Sequence, residues 1–83
     1  MSKHIVITGC SQGLGLALVQ GFIDHGHTVF GCARNVQCMA ELQERFGDKH
    51  FFQAVDVSKP SEVYAWAKNC LERQFKIDLV INN

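Results

Sequence analysis

The chain has 83 residues, 47% of them hydrophobic, and its eight basic and eight acidic residues cancel. That balance argues against a nucleic-acid surface, no apolar run approaches the ~20 residues of a membrane span, and Lys3 and His4 precede too short an apolar stretch for a signal peptide. The length suits one small domain or part of a larger one, with a marginal core, because so short a chain buries only roughly 60–65% of its unfolded surface.

Residues 3–8 read as a first strand, an apolar run that feeds a glycine-rich turn over 9–15. Leu14, Ala17, Leu18, Gly21 and Phe22 follow at the spacing of a helix with one apolar stripe, and Gly26 is its expected stop. Residues 28–33 form the second strand. Val36, Met39, Ala40 and Phe46 mark a second helix, stopped by Gly47. Residues 51–55 form the third strand. Ser58 is the expected cap of a third helix, with Pro60 in its first turn, where a missing N–H costs little. Val63, Trp66, Ala67, Cys70 and Leu71 give that helix its apolar face, and residues 77–81 form the fourth strand.

The strands are short continuous apolar runs, the pattern of parallel strands covered on both faces. Right-handed crossovers then predict an α/β fold: a partial Rossmann-type, doubly wound parallel sheet of four strands in the order 3-2-1-4 with three helices.

The turn carries the chemistry. A strand, a glycine-rich turn and a helix in succession bring backbone N–H groups and the positive end of a helix dipole up to a phosphate. Gly9 lets the chain leave the strand sharply. Gly13 removes a Cβ where a pyrophosphate would lie against backbone, and Gly15 lets the helix pack close to the sheet. Ser11, Gln12 and Leu14 complete the expected contact loop. The spacing G-x-x-x-G-x-G departs from the fingerprint G-x-G-x-x-G, since Leu18 holds the third glycine's place. It also departs from a loop ending Gly-Lys-Ser/Thr, since Leu14 holds the lysine position. Taken alone, the spacing also suits an ordinary glycine-rich turn.

Cofactor choice is expected at the end of the second strand, where an acidic residue binds the ribose 2′-hydroxyl of NAD and an Arg accommodates the 2′-phosphate of NADP. This chain places Ala33 and then Arg34 there, and Arg34 is the only Lys or Arg between Lys3 and Arg45. A guanidinium suits a phosphate bidentately. Ser11 is positioned to give the same phosphate a second hydrogen bond. The plain alternative is a solvated Arg just past a strand.

Thr8-Gly9-x-x-x-Gly13-x-Gly15, Ala33-Arg34, Asp56-Val57 and Asn82-Asn83, in that order, resemble the cofactor motifs of the short-chain dehydrogenases/reductases. The resemblance spans the whole chain and points to the NADP-preferring members. It implies that Asp56 accepts from the exocyclic amine of adenine while the Val57 N–H meets a ring nitrogen. It implies that Asn82-Asn83, matching the first half of the family's Asn-Asn-Ala-Gly, lines the cofactor ribose and ties the strands together. The implied activity is hydride transfer between NADP(H), with NAD(H) less favoured, and a carbonyl or alcohol. The implied protein is homo-oligomeric when intact, with its catalytic Ser, Tyr and Lys after the fourth strand; its cytoplasmic location is expected from its cysteines, which without a secretory signal read as reduced thiols. Residues 1–83 are therefore expected to be the N-terminal part of a single NAD(P)-binding Rossmann domain, truncated after the fourth strand and catalytically silent alone. The rival expectation is a non-enzymatic NADP-binding or interaction module that ends at residue 83.

Other features are set aside or weighed. Tyr64 and Lys68 match the family's catalytic Tyr-x-x-x-Lys, but they fall on the helix between strands three and four, with Phe51 and Phe52 where the catalytic Ser should stand. No catalytic residue is therefore assigned. Cys10, Cys32, Cys38 and Cys70 lack metal-site or redox spacing and read as reduced thiols. His25 and His27 lack further ligands, so no metal site is assigned. Cys10, just before a helix N-terminus, is expected to be a reactive thiolate protected by bound cofactor, with a small loop-filling residue as the alternative.

Overall fold

In the computed structural model, which describes residues 2–73 and 76–83, strands and helices alternate along the chain. They are β1 (His4–Thr8), α1 (Gly13–Asp24), β2 (Thr28–Ala33), α2 (Val36–Phe46), β3 (Phe51–Ala54), α3 (Pro60–Arg73) and β4 (Leu79–Ile81). The strands pair in parallel in the order β3-β2-β1-β4. This is the doubly wound α/β arrangement that the apolar runs predict.

Alternate side chains of the central strands feed two separate cores. Ile5, Ile7 and Val29 pack with Val19 of α1 and Met39 and Leu42 of α2. Val6, Phe30 and Cys32 pack with Trp66 and Cys70 of α3. Helices α1 and α2 therefore cover one face and α3 the other. Every residue of β2 is buried, as a central strand covered on both sides must be. All four strands run the same way, so their C-terminal ends, with the turn after β1, gather at one edge of the sheet.

The helix rotations differ from the predicted stripes. In α1 the fully buried positions are Gly15 and Val19, with Leu18, Phe22 and Ile23 partly buried against the core. Leu14 is 67% exposed and Ala17 is also outward. The cause is Gly15: a Cβ there would overlap the Gly9 carbonyl oxygen and lie 2.7 Å from Asn83 Nδ2. That contact turns the Gly15–Val19 side of the helix to the sheet. In α2, Val36 and Ala40 face outward and Leu42, absent from the predicted stripe, is buried beside Met39. In α3, Ala67 and Leu71 are exposed, while Trp66 and Cys70 carry the packing.

Element boundaries also move: β1 starts one residue later than expected, at His4, and β3 ends one residue earlier, at Ala54. Ser58 does not cap α3, because its hydroxyl donates to Asp56 Oδ1 at 2.6 Å. Pro60 is the first helical residue, and Glu62 reaches back to accept from the Asp56 N–H at 2.9 Å. Strand β4 starts two residues later than predicted. Asp78 interrupts the ladder there: its Oδ2 accepts the His4 N–H at 2.8 Å, and its own N–H donates to the His4 carbonyl at 2.9 Å.

Candidate functional site

The turn after β1 is shaped by two residues of left-handed backbone, Gly9 (φ +62) and Gly13 (φ +60). A Cβ on Gly13 would meet nothing within 4 Å, so the space beside it is open. Gln12 occupies the N-cap of α1 in extended conformation and makes no side-chain cap. The orphan N–H groups of the first turn therefore remain available to an anion at the helix's positive end. Gly9, by contrast, is crowded: its Cβ would lie 3.0 Å from the Asn83 carbonyl oxygen.

The two residues that follow β4 reach this turn. The Thr8 hydroxyl donates to Asn82 Oδ1 at 3.0 Å and accepts the Asn83 N–H at 2.9 Å. Asn83 Nδ2 donates to the Gly9 carbonyl at 2.9 Å. Asn82 and Asn83 thus tie β4 to β1 at the mouth of the sheet.

A cleft of about 300 Å³ opens here, lined by Thr8, Gly9, Ser11, Ala33, Arg34, Asn35, Val57 and Asn83. Among the described residues Arg34 is the one charged side chain in that lining, and no Asp or Glu shares it. Arg34 is exposed and makes no hydrogen bond or ion pair within the chain among the described residues. It is held just past β2 because Asn35 starts α2 at once, accepting the Cys38 N–H on Oδ1 at 2.9 Å.

Of the residues predicted from sequence, Gly9, Ser11, Arg34, Val57 and Asn83 line the cleft together. Gln12, Gly13, Leu14 and Gly15 form the α1 start instead, and Asn82 bonds behind the lining. Asp56 sits beside Val57 in a turn of its own, accepting both the N–H (3.0 Å) and the hydroxyl (2.6 Å) of Ser58. Those bonds hold its carboxyl below the usual carboxylate range, with lesser help from Arg34 and Lys59. Thr8 and Asn35 were not among the predicted contact residues. Their signal was positional: a hydroxyl at the end of β1, and a helix-capping Asn directly after Arg34.

Cys10 is not the exposed thiolate expected from its place before α1. Its N–H donates to the Cys32 carbonyl at 3.2 Å, carrying the β1–β2 pairing one step further and turning the side chain into the core. Cys10 is 0% exposed, its Sγ lies 3.8 Å from Met39 Sδ, and burial pushes the thiol up to about 11. Tyr64 is 73% exposed and, with Lys68, borders a different surface cavity on α3. His25 Nδ1 contacts the Gly21 carbonyl at 2.8 Å, and His27 Nδ1 accepts the Lys3 N–H at 3.1 Å.

Residues 3–83 match the family model described as short chain dehydrogenase. The chain belongs to that family. Among its short-chain dehydrogenase relatives is an NADPH-dependent pterin aldehyde reductase of Arabidopsis thaliana, 34% identical over 84 residues, covering 99% of this chain and 35% of the relative. The L-sorbose reductase of Gluconobacter frateurii, solved with NADPH and L-sorbose, superposes with a TM-score of 0.87 at 36% identity, covering 99% of this chain and 33% of that one. A short-chain dehydrogenase from Streptomyces avermitilis superposes with a TM-score of 0.90 at 28% identity, covering 100% of this chain and 31% of that one. The chain thus spans about a third of the length of each of these three proteins. It is an oxidoreductase-family segment with the Rossmann-like nucleotide-binding arrangement. No helix among the described residues is long and apolar enough to cross a membrane.

Proposed function

We propose that this chain is the cofactor-binding part of an NADP(H)-dependent oxidoreductase acting on a carbonyl or alcohol. The observation that carries the reading is the cleft at the strand ends, where among the described residues Arg34 is the one charged side chain and no Asp or Glu lines it. Arg34 and Ser11 hold the 2′-phosphate in this reading. The open backbone at Gly13 and the uncapped start of α1 receive the pyrophosphate. Val57 and Asp56 face the adenine, and Asn82 and Asn83 border the ribose. Among the described residues the donor set fits such a dianionic group: one guanidinium, a serine hydroxyl and unclaimed backbone N–H groups.

The bound nicotinamide would supply or accept the hydride. The residues of this chain bind and orient it, and the proton-transfer groups lie outside the chain in this reading. Residues 1–83 alone are then silent towards carbonyls and alcohols. The unpaired thiols, three of them buried, suit the cytoplasm.

Cofactor ranking tests the reading. Arg34→Ala should lose NADP(H) affinity by about tenfold to a hundredfold, the range for a charge-assisted hydrogen bond, and leave NAD(H) little changed. Ala33→Asp should shift preference towards NAD(H), because a carboxylate in the lining repels the phosphate. Equal losses for both cofactors in Arg34→Ala would remove the 2′-phosphate role.

A further inference from the structure

A second cleft, of about 410 Å³, opens at the other end of the sheet, where β1 and β2 begin. His4, Thr28, Phe30, Asp48, Lys49 and Arg73 line it. Thr28 pairs with His4 across the sheet, and alternation puts its side chain on the face of Phe30, the face that α3 covers. Thr28 is 6% exposed, and its hydroxyl makes no hydrogen bond among the described residues. A buried hydroxyl without a partner lowers stability, and here it borders open space that could hold one. Arg73 ends α3 with its guanidinium carbon 4.0 Å from the centre of the Phe51 ring. Among the described residues neither Arg73, Lys49 nor Asp48 makes an ion pair. Two cations, one carboxylate and one unused hydroxyl thus share the rim and wall of a single cleft.

We propose that this cleft is a second ligand site, for a small zwitterion with an ammonium beside its carboxylate and an apolar body, the arrangement of a free apolar amino acid. The Arg73 fork, steadied by the Phe51 ring, matches a carboxylate bidentately. Lys49 adds a second positive charge, and the Thr28 hydroxyl donates to the same carboxylate. Asp48 accepts only, so it takes the ligand's ammonium. Its charge also opposes a ligand that is anionic throughout, such as a phosphate dianion. Phe30 supplies an apolar wall for the body. The volume lies within the range of small-molecule sites. Thr28 opens β2 and Ala33 closes it, so the site stands about 17 Å from the Arg34 cleft along the strand. The proposal is therefore independent of the cofactor assignment.

Three probes separate the parts of the ligand. Phenylalanine carries both charges, phenylpropionate lacks the ammonium, and phenethylamine lacks the carboxylate. Saturation-transfer NMR titrates each against the protein at its natural length, with melting temperature measured alongside. Phenylalanine should bind, phenylpropionate more weakly, and phenethylamine not at all. Arg73→Ala should weaken phenylalanine by about tenfold or more, and Arg34→Ala should leave it unchanged. Thr28→Val keeps the shape and removes the hydroxyl. It should bind phenylalanine several-fold more weakly while melting no lower than wild type, a pairing that a merely structural Thr28 would not give. Asp48→Ala should erase the advantage of phenylalanine over phenylpropionate. Should Arg73→Ala melt early, Lys49→Ala takes its place, with a loss in the same direction. Absence of phenylalanine binding overturns the proposal. So does binding that survives both cation substitutions, that is lost in Arg34→Ala, or that keeps its preference over phenylpropionate in Asp48→Ala.

Discussion

Asn83 Nδ2 donates to the Gly9 carbonyl at 2.9 Å, across 74 residues of sequence, and the same carbonyl oxygen occupies the space that a Cβ on Gly15 would need. The end of β4, the turn after β1 and the start of α1 are thus locked at one point.

Gly15→Ala and Gly13→Ala should therefore fail differently. At Gly15 the new methyl meets the Gly9 backbone, which cannot swing aside as the neighbouring Asn83 side-chain amide could. Overpacking of this kind costs about 1–3 kcal/mol, read as a lower denaturant midpoint with weaker cofactor binding. At Gly13 there is room, but the positive φ penalises any L side chain by about 1–2 kcal/mol. Gly13→Ala should keep more stability than Gly15→Ala and still lose cofactor affinity, because the methyl points into open space beside the turn. Denaturant titration with and without NADP(H) checks both.

The thiols should react in the reverse of the order that chain position suggests. Cys10, Cys32 and Cys70 are buried, and burial raises their thiols to about 11, 12 and 11. Cys38 is only partly buried. Iodoacetamide near neutral pH should label Cys38 first, with the other three following only as the chain unfolds. Mass spectrometry of partly labelled protein reads the order, which should collapse in concentrated urea.

Acid should loosen the start of β2 through His50. The ring is buried, and its Nδ1 accepts the Val29 N–H at 3.1 Å, which requires the neutral form. Burial, aided by the nearby Lys49 charge, lowers its pKa below the ordinary 6.5. The unfolded chain thus binds the proton more readily than the folded one. Stability from this contact is whole above pH 6.5 and is lost as pH falls through the lowered folded value. His50→Phe should cost about 1–3 kcal/mol at neutral pH by orphaning the Val29 donor. It should also flatten the acid limb of stability against pH, measured by denaturation from pH 7.5 to 5.

The open side of β4 should make residues 1–83 alone associate. Leu79 is 44% and Val80 63% exposed on an edge strand, beside an apolar groove lined by Val63, Trp66 and Leu71. Such an edge is a template for pairing with another chain. Sedimentation should show assemblies that Val80→Lys reduces; a monomer at high concentration would count against it.

The elements were legible in the sequence because their punctuation is local. Gly26, Gly47 and Pro60 stand at the helix ends they mark, and the apolar runs of β1 and β2 give the sheet. The helix rotations were not legible, because Gly15 meets Gly9 only after the turn closes. Cys10 was misread for a similar reason: its exposure depends on pairing with Cys32, a tertiary contact. Ser58 looks like a cap until Asp56, two residues earlier, takes its hydroxyl. In the site, Arg34 was legible as a charge at a strand end. The orientation of Asn35 was not, because it is set by the bond to Cys38.

The most direct test of the cofactor assignment isolates the 2′-phosphate. Adenosine 2′,5′-bisphosphate and adenosine 5′-monophosphate differ by that group alone and do not involve the nicotinamide. Calorimetric titration of both into wild type and Arg34→Ala should show tighter binding of the bisphosphate to wild type, by about tenfold or more, and near-equal binding to the variant. Equal binding of the two ligands to wild type, or a bisphosphate advantage that survives Arg34→Ala, would contradict the account.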